Sequence, residues 1–422
     1  MFDRDRWQEI WSSLSKNKLR TTLTAFGVFW GIFMLMVMLG SGSGLKNGVM
    51  NGMGDFATNS VFMWTRPTTI PYKGLPRNRR YFYNNDDIQA LRDNIAEIGL
   101  ISPRLEGGGR NNTGNNVIKD DKSGAFSIYG DYPEWNLIDP ANILQGRFIN
   151  KTDIEQKRKV VVIGKRVLEI LFEKDENPLG QYIRINGIYF QVVGVFAPKN
   201  SNMNFGGDKE QSIHMPFSTL QQAFNYGNIV GWFALTSKPG IDVSIVEEKA
   251  MKILKERHKV APEDDRAIGH FNLGKEFKQM TGLFLGINGL IWIVGIGTLL
   301  AGVIGISNIM LVIVKERTKE IGIMRAIGAS PGMIITQIIT ESVFLTTIAG
   351  YAGMVFGVIL IEVIDKNLPP PTGRDTMFLN PTIDFQVAMT ALLILVISGI
   401  IAGLIPARKA VSMKPIDALR YE

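Results

Sequence analysis

The side chains that most often carry chemistry are scarce in this chain and stand at no catalytic spacing. There are three histidines, His214, His258 and His270, and no cysteines. The sequence contains no H-E-x-x-H metal motif, no G-x-S-x-G nucleophile motif and no G-x-x-x-x-G-K-[ST] phosphate loop. We therefore predict no catalytic residue, no metal site and no cofactor in this chain. If it uses ATP, another subunit must bind the nucleotide and its Mg²⁺.

One charged segment stands between two of the most apolar stretches of the sequence. It is KERTKEIGIMRAIGAS, from Lys315 to Ser330. Its mixture of charged and apolar side chains suits a helix that docks into a groove on a partner. A solvated turn is the alternative, but a turn would not require the acidic residues or the isoleucines. The segment offers polar contacts through Lys315, Glu316, Arg317, Thr318, Lys319, Glu320 and Arg325, and an apolar side through Ile321, Ile323, Met324 and Ile327.

Four apolar runs are long enough to cross a membrane. About 20 apolar residues span the hydrocarbon core, so each run predicts a transmembrane helix. Three runs carry no charged residue, and the third along the chain carries only Glu341. The first run is too long for a cleaved signal peptide, which favours a retained helix. The runs are Thr21 to Leu45, Leu283 to Val314, Met333 to Ile361 and Phe385 to Ala407.

The basic residues orient these helices. Lys and Arg cluster before the first run, between the second and third, and after the fourth, and the positive-inside rule places those regions in the cytoplasm. Both termini are then cytoplasmic, and the long region between the first two helices lies outside. The net charge of +7, from 46 basic and 39 acidic residues, is largely a topology signal, and we expect no nucleic acid partner.

The second run is too long for a simple span. Its helix would reach about 48 Å at 1.5 Å per residue, against a hydrocarbon core of about 30 Å. In our interpretation Trp292 marks the outer interface, and Gly282 to Ile291 form a stalk that leads to an external domain. A tilted helix is the alternative.

The region outside the membrane has the local signals of a mixed α/β domain. Asn186-Gly187 separates two strand-like runs and predicts a tight hairpin, because both residues tolerate the positive φ of a type I′ turn. Lys159 to Gly164 predicts a strand, and the residues after it predict a helix. Asn85 and Asp242 are expected to cap helices.

The N-terminal segment predicts an amphipathic helix at the membrane surface. Trp7, Ile10, Trp11 and Leu14 share one helical face, and the two tryptophans favour the headgroup region. Packing of this face on another protein segment is the alternative.

Two features of the membrane runs concern helix packing. Gly27 with Gly31, and Gly282 with Gly286, are pairs of small residues whose four-residue spacing lets helix backbones approach closely. Glu341 is an intramembrane charge, which is costly and by default a functional candidate. We favour a structural role, in which it is protonated or bonded to neighbouring Thr or Asn side chains.

Several segments together resemble the FtsX/LolC/MacB superfamily of ABC-transporter permeases, and MacB-like proteins fit best. Gly305 to Ser330 resembles the signature of the group, and Pro406 to Glu422 resembles the way such chains end. Trp11 to Ile32 and Asn186 to Phe196 are similar to that group as well. Full-length MacB has an ATPase domain before its first membrane helix, and only about 20 residues precede that helix here. The resemblance therefore implies a stand-alone permease subunit and a separate ATPase chain.

The apolar runs and the resemblance predict a membrane protein with four transmembrane helices and a large extracytoplasmic mixed α/β domain of two lobes between helices 1 and 2. The inner lobe is expected at about 46–110 and 228–281, and the outer lobe at about 111–227. In chain order we expect an interfacial helix (1–19), the first transmembrane helix (20–45), the external domain (46–281), a stalk with the second helix (282–314), a coupling helix (315–330), the third helix (331–362), an outer loop (363–382), the fourth helix (383–407) and a cytoplasmic tail (408–422).

The resemblance also implies a mechanism. The segment 315–330 would be the coupling helix that docks on the ATPase. A dimer with the first two helices near its axis would bring Gly27, Gly31, Gly282 and Gly286 to the subunit contact. ATPase motion would move the external domain, which is mechanotransmission. Because the runs have almost no polar lining, we expect no substrate to pass between the membrane helices.

Two functions remain open. Export across the bacterial inner membrane would act on a peptide, a drug or a lipoprotein. The alternative is an FtsX-like regulator that activates an external cell-wall hydrolase, and the length of the external domain favours export. Expected partners are an ABC ATPase dimer, a second permease copy of the same or another kind, a periplasmic adaptor, an outer-membrane channel and the lipid membrane.

Overall fold

The computed structural model describes residues 18–52, 56–108, 115–199, 208–368 and 377–412. The chain divides into two units: the membrane unit, Met1–Val49 with Gly282–Glu422, and the sheet unit, Met50–Thr281.

In chain order the described helices are α1 (Lys18–Gly52), α2 (Asn85–Asn94), α3 (Trp135–Ile138), α4 (Lys151–Glu155), α5 (Lys165–Leu171), α6 (Phe217–Ala223), α7 (Val243–Arg257), α8 (Leu273–Glu316), α9 (Thr318–Ala326), α10 (Pro331–Asn367) and α11 (Phe385–Ser412). The strands are β1 (Ser60–Thr65), β2 (Tyr83–Asn84), β3 (Ile98–Gly107), β4 (Asn115–Lys119), β5 (Lys122–Asp131), β6 (Ala141–Gly146), β7 (Val160–Gly164), β8 (Tyr182–Ile185), β9 (Ile188–Pro198), β10 (Ser212–Pro216), β11 (Ile229–Val230), β12 (Trp232–Ser237) and β13 (Ile268–Asn272).

Four helices, α1, α8, α10 and α11, are long and apolar enough to cross a membrane. Each is longer than the apolar run that predicted it. α8 begins at Leu273, well before the predicted stalk, because its first residues pack in the core of the sheet unit. These residues are amphipathic rather than uniformly apolar, so the apolar run does not include them. α11 continues through the buried Pro406 to Ser412, past its predicted end. α10 begins with Pro331, whose fixed φ suits the first helical position.

Glycines bring the membrane helices close together. In α10, a side chain at Gly353 would meet the backbone of Phe29 in α1. In α11, a Cβ at Gly403 would lie 3.1 Å from the Cα of Ile339 in α10. Ser342 of α10 donates from Oγ to the carbonyl of Gly399 in α11 at 2.9 Å. α10 is thus packed tightly against both α1 and α11.

The sheet unit is built on one mixed sheet of eleven strands. The order along the sheet is β10-β7-β9-β8-β4-β5-β3-β12-β1-β13, and β6 pairs with β9 at the side. β10 also pairs with β5 in parallel, so the strands from β10 to β5 form a closed circuit of pairings. Apolar side chains from this sheet and from α2, α5, α6 and α7 form the main core.

β3 connects two groups of strands. On one side it pairs with β12, which continues to β1 and β13, and on the other side it pairs with β5. The strands that continue from β5, namely β4 and β6 to β10, come from one stretch of sequence, residues 115–216. In sequence, the strands β1, β3, β12 and β13 fall within the range predicted for the inner lobe, and the strands from β4 to β10 fall within the range predicted for the outer lobe. The lobe boundaries themselves stay a prediction.

The local predictions for the hairpin and its neighbours are confirmed. β8 and β9 pair antiparallel around Asn186 and Gly187, whose φ angles are 45° and 89°. The strand predicted at Lys159 to Gly164 is β7, and the helix predicted after it is α5.

Of the two predicted helix caps, one is confirmed and one is wrong by a residue. Asp242 caps α7 by accepting from the backbone N–H of Ser244. Asn84, not Asn85, caps α2, because Asp87 lies three residues after Asn84 and completes a reciprocal capping box with it.

Candidate functional site

The segment between α8 and α10 forms a short helix of its own, α9. Arg317 interrupts the helical path, with φ −94° and ψ 11°. After α9, Gly328 has a φ of 110°, a conformation that favours glycine, and Ser330 caps α10. The helix expected within 315–330 is therefore present at Thr318–Ala326, while Lys315 and Glu316 end α8.

One face of α9 is exposed. Lys319 and Glu320 lie on it with Ile323 (43% exposed), and Ile327 (82% exposed), the residue directly after α9, continues it. The exposed Glu316 lies one turn earlier, at the end of α8. These residues recur at intervals of three and four, so they share one side of the segment. This surface, on which docking stays a prediction, is called the docking face below, and it combines charges of both signs with two isoleucines.

The opposite face of α9 packs inside the membrane unit. Ile321 is only 7% exposed and belongs to the same apolar cluster as Val314 of α8 and Ile338 of α10. Met324 packs against this cluster, and Thr318 is buried. The expected apolar side of the segment is therefore divided. Ile321 and Met324 contact the protein's own helices, whereas Ile323 and Ile327 face outwards.

The carboxylate of Glu341 is paired with a guanidinium. Arg317 Nη1 donates to Glu341 Oε1 at 3.1 Å, and Arg317 Nε donates to Glu320 Oε2 at 3.1 Å. The Glu341 side chain is 2% exposed and that of Arg317 18%. Glu341 is thus bonded to an arginine, a partner that the expectation of a protonated carboxyl or of bonds to neighbouring Thr or Asn side chains did not include. The pairing depends on the chain reversing direction between α8 and α10, which local sequence does not reveal.

Arg325 lies near the other end of α9 and also bonds within the chain. Its Nη1 donates to the carbonyl of Val411 at 2.8 Å, in the last turn of α11. Carbonyls in the last turn of a helix lack partners within that helix, and a cation there suits the helix dipole. α9 is therefore fastened to α10 near its start and to α11 near its end.

The four glycines predicted to pack subunits differ in their surroundings. A Cβ at Gly31 would lie 3.5 Å from the backbone of Thr298 in α8, so this glycine lies at a helix contact within the chain. Gly27, Gly282 and Gly286 have open space where a side chain would stand. A contact between subunits stays a prediction for all four. The predicted interfacial residues Trp7, Ile10, Trp11 and Leu14 lie outside the described residues.

A buried polar cluster lies where three strands of the sheet unit meet. Arg104 of β3 pairs with the fully buried Asp131 of β5, at 2.8 Å from Nε to Oδ1. Asp131 Oδ2 lies 2.6 Å from Nδ1 of His214 in β10. The Arg104 guanidinium lies 4.1 Å and 4.0 Å from the ring centres of Tyr129 and Trp135. Hydrogen bonds and aromatic faces thus surround the buried charges.

Ser212, His214 and Asp131 lie in the order of a serine-hydrolase triad. Ser212 Oγ lies 3.2 Å from His214 Nε2, but it also donates to the carbonyl of Lys209 at 2.8 Å. Burial lowers the pKa of His214, although the hydrogen bond to Asp131 opposes that shift. The serine is 1% exposed, and the cavity that it lines together with Arg104 and His214 has a volume of about 30 Å³, which is room for a water molecule or two but not for a substrate. We assign this cluster to the core of the unit.

The other two histidines also pair with carboxylates. His258 Nε2 lies 2.7 Å from Asp87, and His270 Nδ1 lies 2.5 Å from Glu247. The sequence predicts none of the three histidine pairs, because each carboxylate lies on an element distant in sequence from its histidine. Within the described ranges, no group of three or more His, Cys, Asp or Glu side chains could hold a metal ion.

The chain matches two family models. Residues 21–253 match the MacB-like periplasmic core domain, and residues 292–415 match the FtsX-like permease C-terminal domain. The first match covers more than half of the chain and includes the sheet strands from β1 to β12, and the second includes α9, α10 and α11.

The chain is also similar to export proteins along almost its whole length. It is 28% identical over 417 residues to the pyoverdine export ATP-binding/permease protein PvdT of Pseudomonas entomophila, which covers 98% of this chain and 59% of that protein. It is 27% identical over 415 residues to the macrolide export ATP-binding/permease protein MacB of Bdellovibrio bacteriovorus, which covers 97% of this chain and 60% of that protein. The chain thus spans about three fifths of the length of these curated relatives.

One similar solved structure is the periplasmic region of MacB from Actinobacillus actinomycetemcomitans. It is 18% identical in sequence and has a TM-score of 0.43. The match covers 55% of this chain and 98% of that chain.

Proposed function

This multi-pass membrane chain belongs to the MacB-like permeases of the FtsX/LolC/MacB superfamily, and we propose that it converts the motion of an ATPase into movement of its extracytoplasmic domain. In this proposal the sheet unit is the extracytoplasmic domain, and the docking face of α9 receives the motion. The moving domain then drives a substrate outwards.

The observation that carries the proposal is the length and continuity of α8. This helix has 44 residues, which corresponds to about 66 Å at 1.5 Å per residue, against a hydrocarbon core of about 30 Å. It begins within the residues of the sheet unit and ends at the coupling segment without a break. A continuous helix resists bending, so it is a suitable element for carrying a displacement from one end to the other.

The first turns of α8 are fixed to the sheet unit. Leu273 is fully buried in a cluster with Phe62 and Trp135, and Phe277 packs against the same cluster. The Lys278 ammonium forms an ion pair with Asp242, the residue that caps α7. A displacement of α8 would therefore move the domain with it, which supports mechanotransmission.

The ATP-binding part is proposed to lie on a separate ABC ATPase. These 422 residues contain no phosphate loop, and the relatives are described as ATP-binding/permease proteins. We propose that two ATPase copies, with ATP and Mg²⁺, dock on the α9 segments of two permease copies. This arrangement places both termini in the cytoplasm and the complex in a bacterial inner membrane.

Export is the function that we favour over activation of a cell-wall hydrolase. The names of the relatives describe export, of pyoverdine in one case and of macrolides in the other. By that analogy, a peptide, a small drug-like molecule or a lipoprotein is a suitable substrate, and a periplasmic adaptor with an outer-membrane channel could receive it. The membrane runs carry one charge, Glu341, which is paired with Arg317, so they offer little lining for a hydrophilic path.

The test is an insertion that breaks α8. Two glycines inserted after Gly286, where the structure has open space for a side chain, would weaken the helix by about 1 kcal/mol per glycine and shift its register. We expect extrusion of a macrolide probe from cells that express the permease and its ATPase to fail, while the ATPase still binds and hydrolyses ATP. The matched control is the same insertion between Lys73 and Gly74, in an exposed turn. Normal extrusion by the α8 variant would contradict the proposal.

A further inference from the structure

We propose that Arg317 and Glu341 form an internal clamp that holds α9 on the membrane helices, so that Arg317 positions the docking face instead of binding the ATPase. Arg317 is a positioning residue in this account. The consequence for coupling depends on the proposed function, whereas the clamp itself can be tested on the chain alone.

The clamp joins a buried carboxylate to a guanidinium that is 18% exposed. Glu341 is 2% exposed, and its Oε1 accepts from Arg317 Nη1 at 3.1 Å. An ionised carboxylate buried without a partner is strongly unfavourable, and an arginine supplies both the opposite charge and a directed donor. The same guanidinium uses Nε to bond Glu320 on α9. One side chain thus connects α9 to α10.

The position of Arg317 makes this contact mechanically important. Arg317 directly follows α8 and directly precedes α9, so a bond from its side chain to α10 fixes the junction of three helices. Ten residues of α10 precede Glu341, which corresponds to about 15 Å of helix. The bond to Arg317 therefore joins the C-terminal end of α8 to a point about three turns into α10.

A second contact fixes the far end of α9. Arg325 donates to the Val411 carbonyl in α11, and α10 and α11 are themselves joined next to the clamp by the bond from Ser342 to Gly399. Between the two arginines, Ile321 is buried in the apolar cluster that contains residues of α8 and α10. α9 is thus held at both ends and along its inner face. A push on its outer face would be delivered to α8, α10 and α11 together.

The clamp can be measured by hydrogen–deuterium exchange of the full chain in lipid nanodiscs, without an ATPase or a substrate. Arg317→Leu removes the guanidinium that pairs with the buried carboxylate of Glu341, and Glu341→Leu removes the buried one of the two carboxylates that Arg317 bonds. We expect the amides of α9 to exchange about tenfold faster or more in each single variant, the change expected from losing one charge-assisted hydrogen bond. Arg317→Lys, which keeps the charge, should restore part of the protection.

The double variant separates a clamp from a general loss of packing. Replacing both residues by leucine removes the two charges of the pair together, and such apolar replacements of buried ion pairs are often tolerated. We therefore expect α9 in the double variant to exchange more slowly than in either single variant. The matched control is Glu320→Leu, which removes the exposed partner of the same arginine and should change the α9 amides less than twofold. Amides of β7 in the sheet unit report whether each variant is folded.

The results that would overturn the clamp are specific. If Glu341→Leu changes α9 no more than Glu320→Leu does, Glu341 does not hold the helix. If the increase in α9 exchange rate in the double variant equals the product of the increases in the two single variants, the two residues act separately. The same conclusion follows if the β7 amides also exchange faster in the single variants and both regions exchange faster still in the double variant. Normal extrusion by the variant with two glycines after Gly286 would contradict the proposed function but would leave this exchange pattern unchanged. The two inferences can therefore fail independently.

Discussion

Ile323 and Ile327 are the apolar side chains on the docking face of α9, and they stand beside Lys319 and Glu320. Burying one isoleucine against a partner contributes about 1.5–3 kcal/mol, or roughly a tenfold to hundredfold change in affinity. We therefore predict that Ile327→Asp weakens binding of the cognate ATPase to the detergent-solubilised permease at least tenfold. The amides of α9 should keep their exchange rates, because Ile327 is not part of the inner face.

The control for this prediction is Ile245→Asp. Ile245 is an exposed isoleucine on α7 of the sheet unit, so its replacement makes the same chemical change away from the docking face. Its affinity for the ATPase should equal that of the parent chain. Equal ATPase affinity of the Ile327 variant and the parent would show that this face of α9 is not the binding surface.

At the residue scale, the sequence predicts which side chains are unusual better than it predicts their partners. Glu341 stands out in the sequence as the one charge in its run, but Arg317, which it bonds, lies 24 residues away across a chain reversal. Arg317 is predicted to contact an ATPase, which stays a prediction, and the sequence does not show that it also bonds Glu320 and Glu341 of its own chain. Helical periodicity locates a mixed face, and only the packing of α9 against its neighbours shows which half remains exposed.

At the scale of elements, helices and turns with local causes were predictable. The hairpin at Asn186-Gly187 follows from the backbone freedom of two residues, and the membrane helices follow from uncharged runs. The start of α8 was missed, because Leu273 to Thr281 contains three charged residues and has no apolar run. That segment is helical because Leu273 and Phe277 pack on the sheet unit. The pairing of β10 with β5 likewise depends on contacts distant in sequence.

Two glycines in different helices should respond in opposite ways to alanine. A Cβ at Gly353 would collide with the backbone of Phe29, so Gly353→Ala must push α10 away from α1, at a cost of about 1–3 kcal/mol. Gly286 has open space around it, and Gly286→Ala should stabilise α8 by up to about 1 kcal/mol. The measurement is the midpoint of thermal unfolding of the purified chain in detergent.

The glycine prediction fails if Gly353→Ala melts at the temperature of the parent. The Gly286 variant also bears on the predicted subunit contact. If Gly286 packs against a second copy, Gly286→Ala should lower the fraction of dimer measured by light scattering, although α8 itself becomes more stable. An unchanged dimer fraction would remove Gly286 from that contact.

At the scale of the whole molecule, the chain consists of a membrane unit and a sheet unit that share the helix α8. The sequence predicted both units, because long apolar runs and alternating strand signals are patterns that extend over many residues. It could not predict how the ends of α8 are held. One end depends on Leu273 and Lys278, and the other on Arg317, and all three act through residues distant in sequence.

The central claim is that α8 carries motion from the coupling segment to the extracytoplasmic domain. The chain has no cysteines, so a single introduced cysteine can be spin-labelled cleanly. Tyr182→Cys labels an exposed position on β8, and Met333→Cys labels an exposed position at the start of α10. The distance between the same label on two permease copies would be measured by pulsed electron paramagnetic resonance, with the ATPase present and with or without ATP.

We predict that ATP changes the distance at both positions in the parent complex. In the variant with two glycines after Gly286, ATP should still change the distance at position 333 and should no longer change it at position 182, while hydrolysis continues. An unchanged ATP response at position 182 in that variant, or a parent complex that responds at position 333 but not at position 182, would contradict the account.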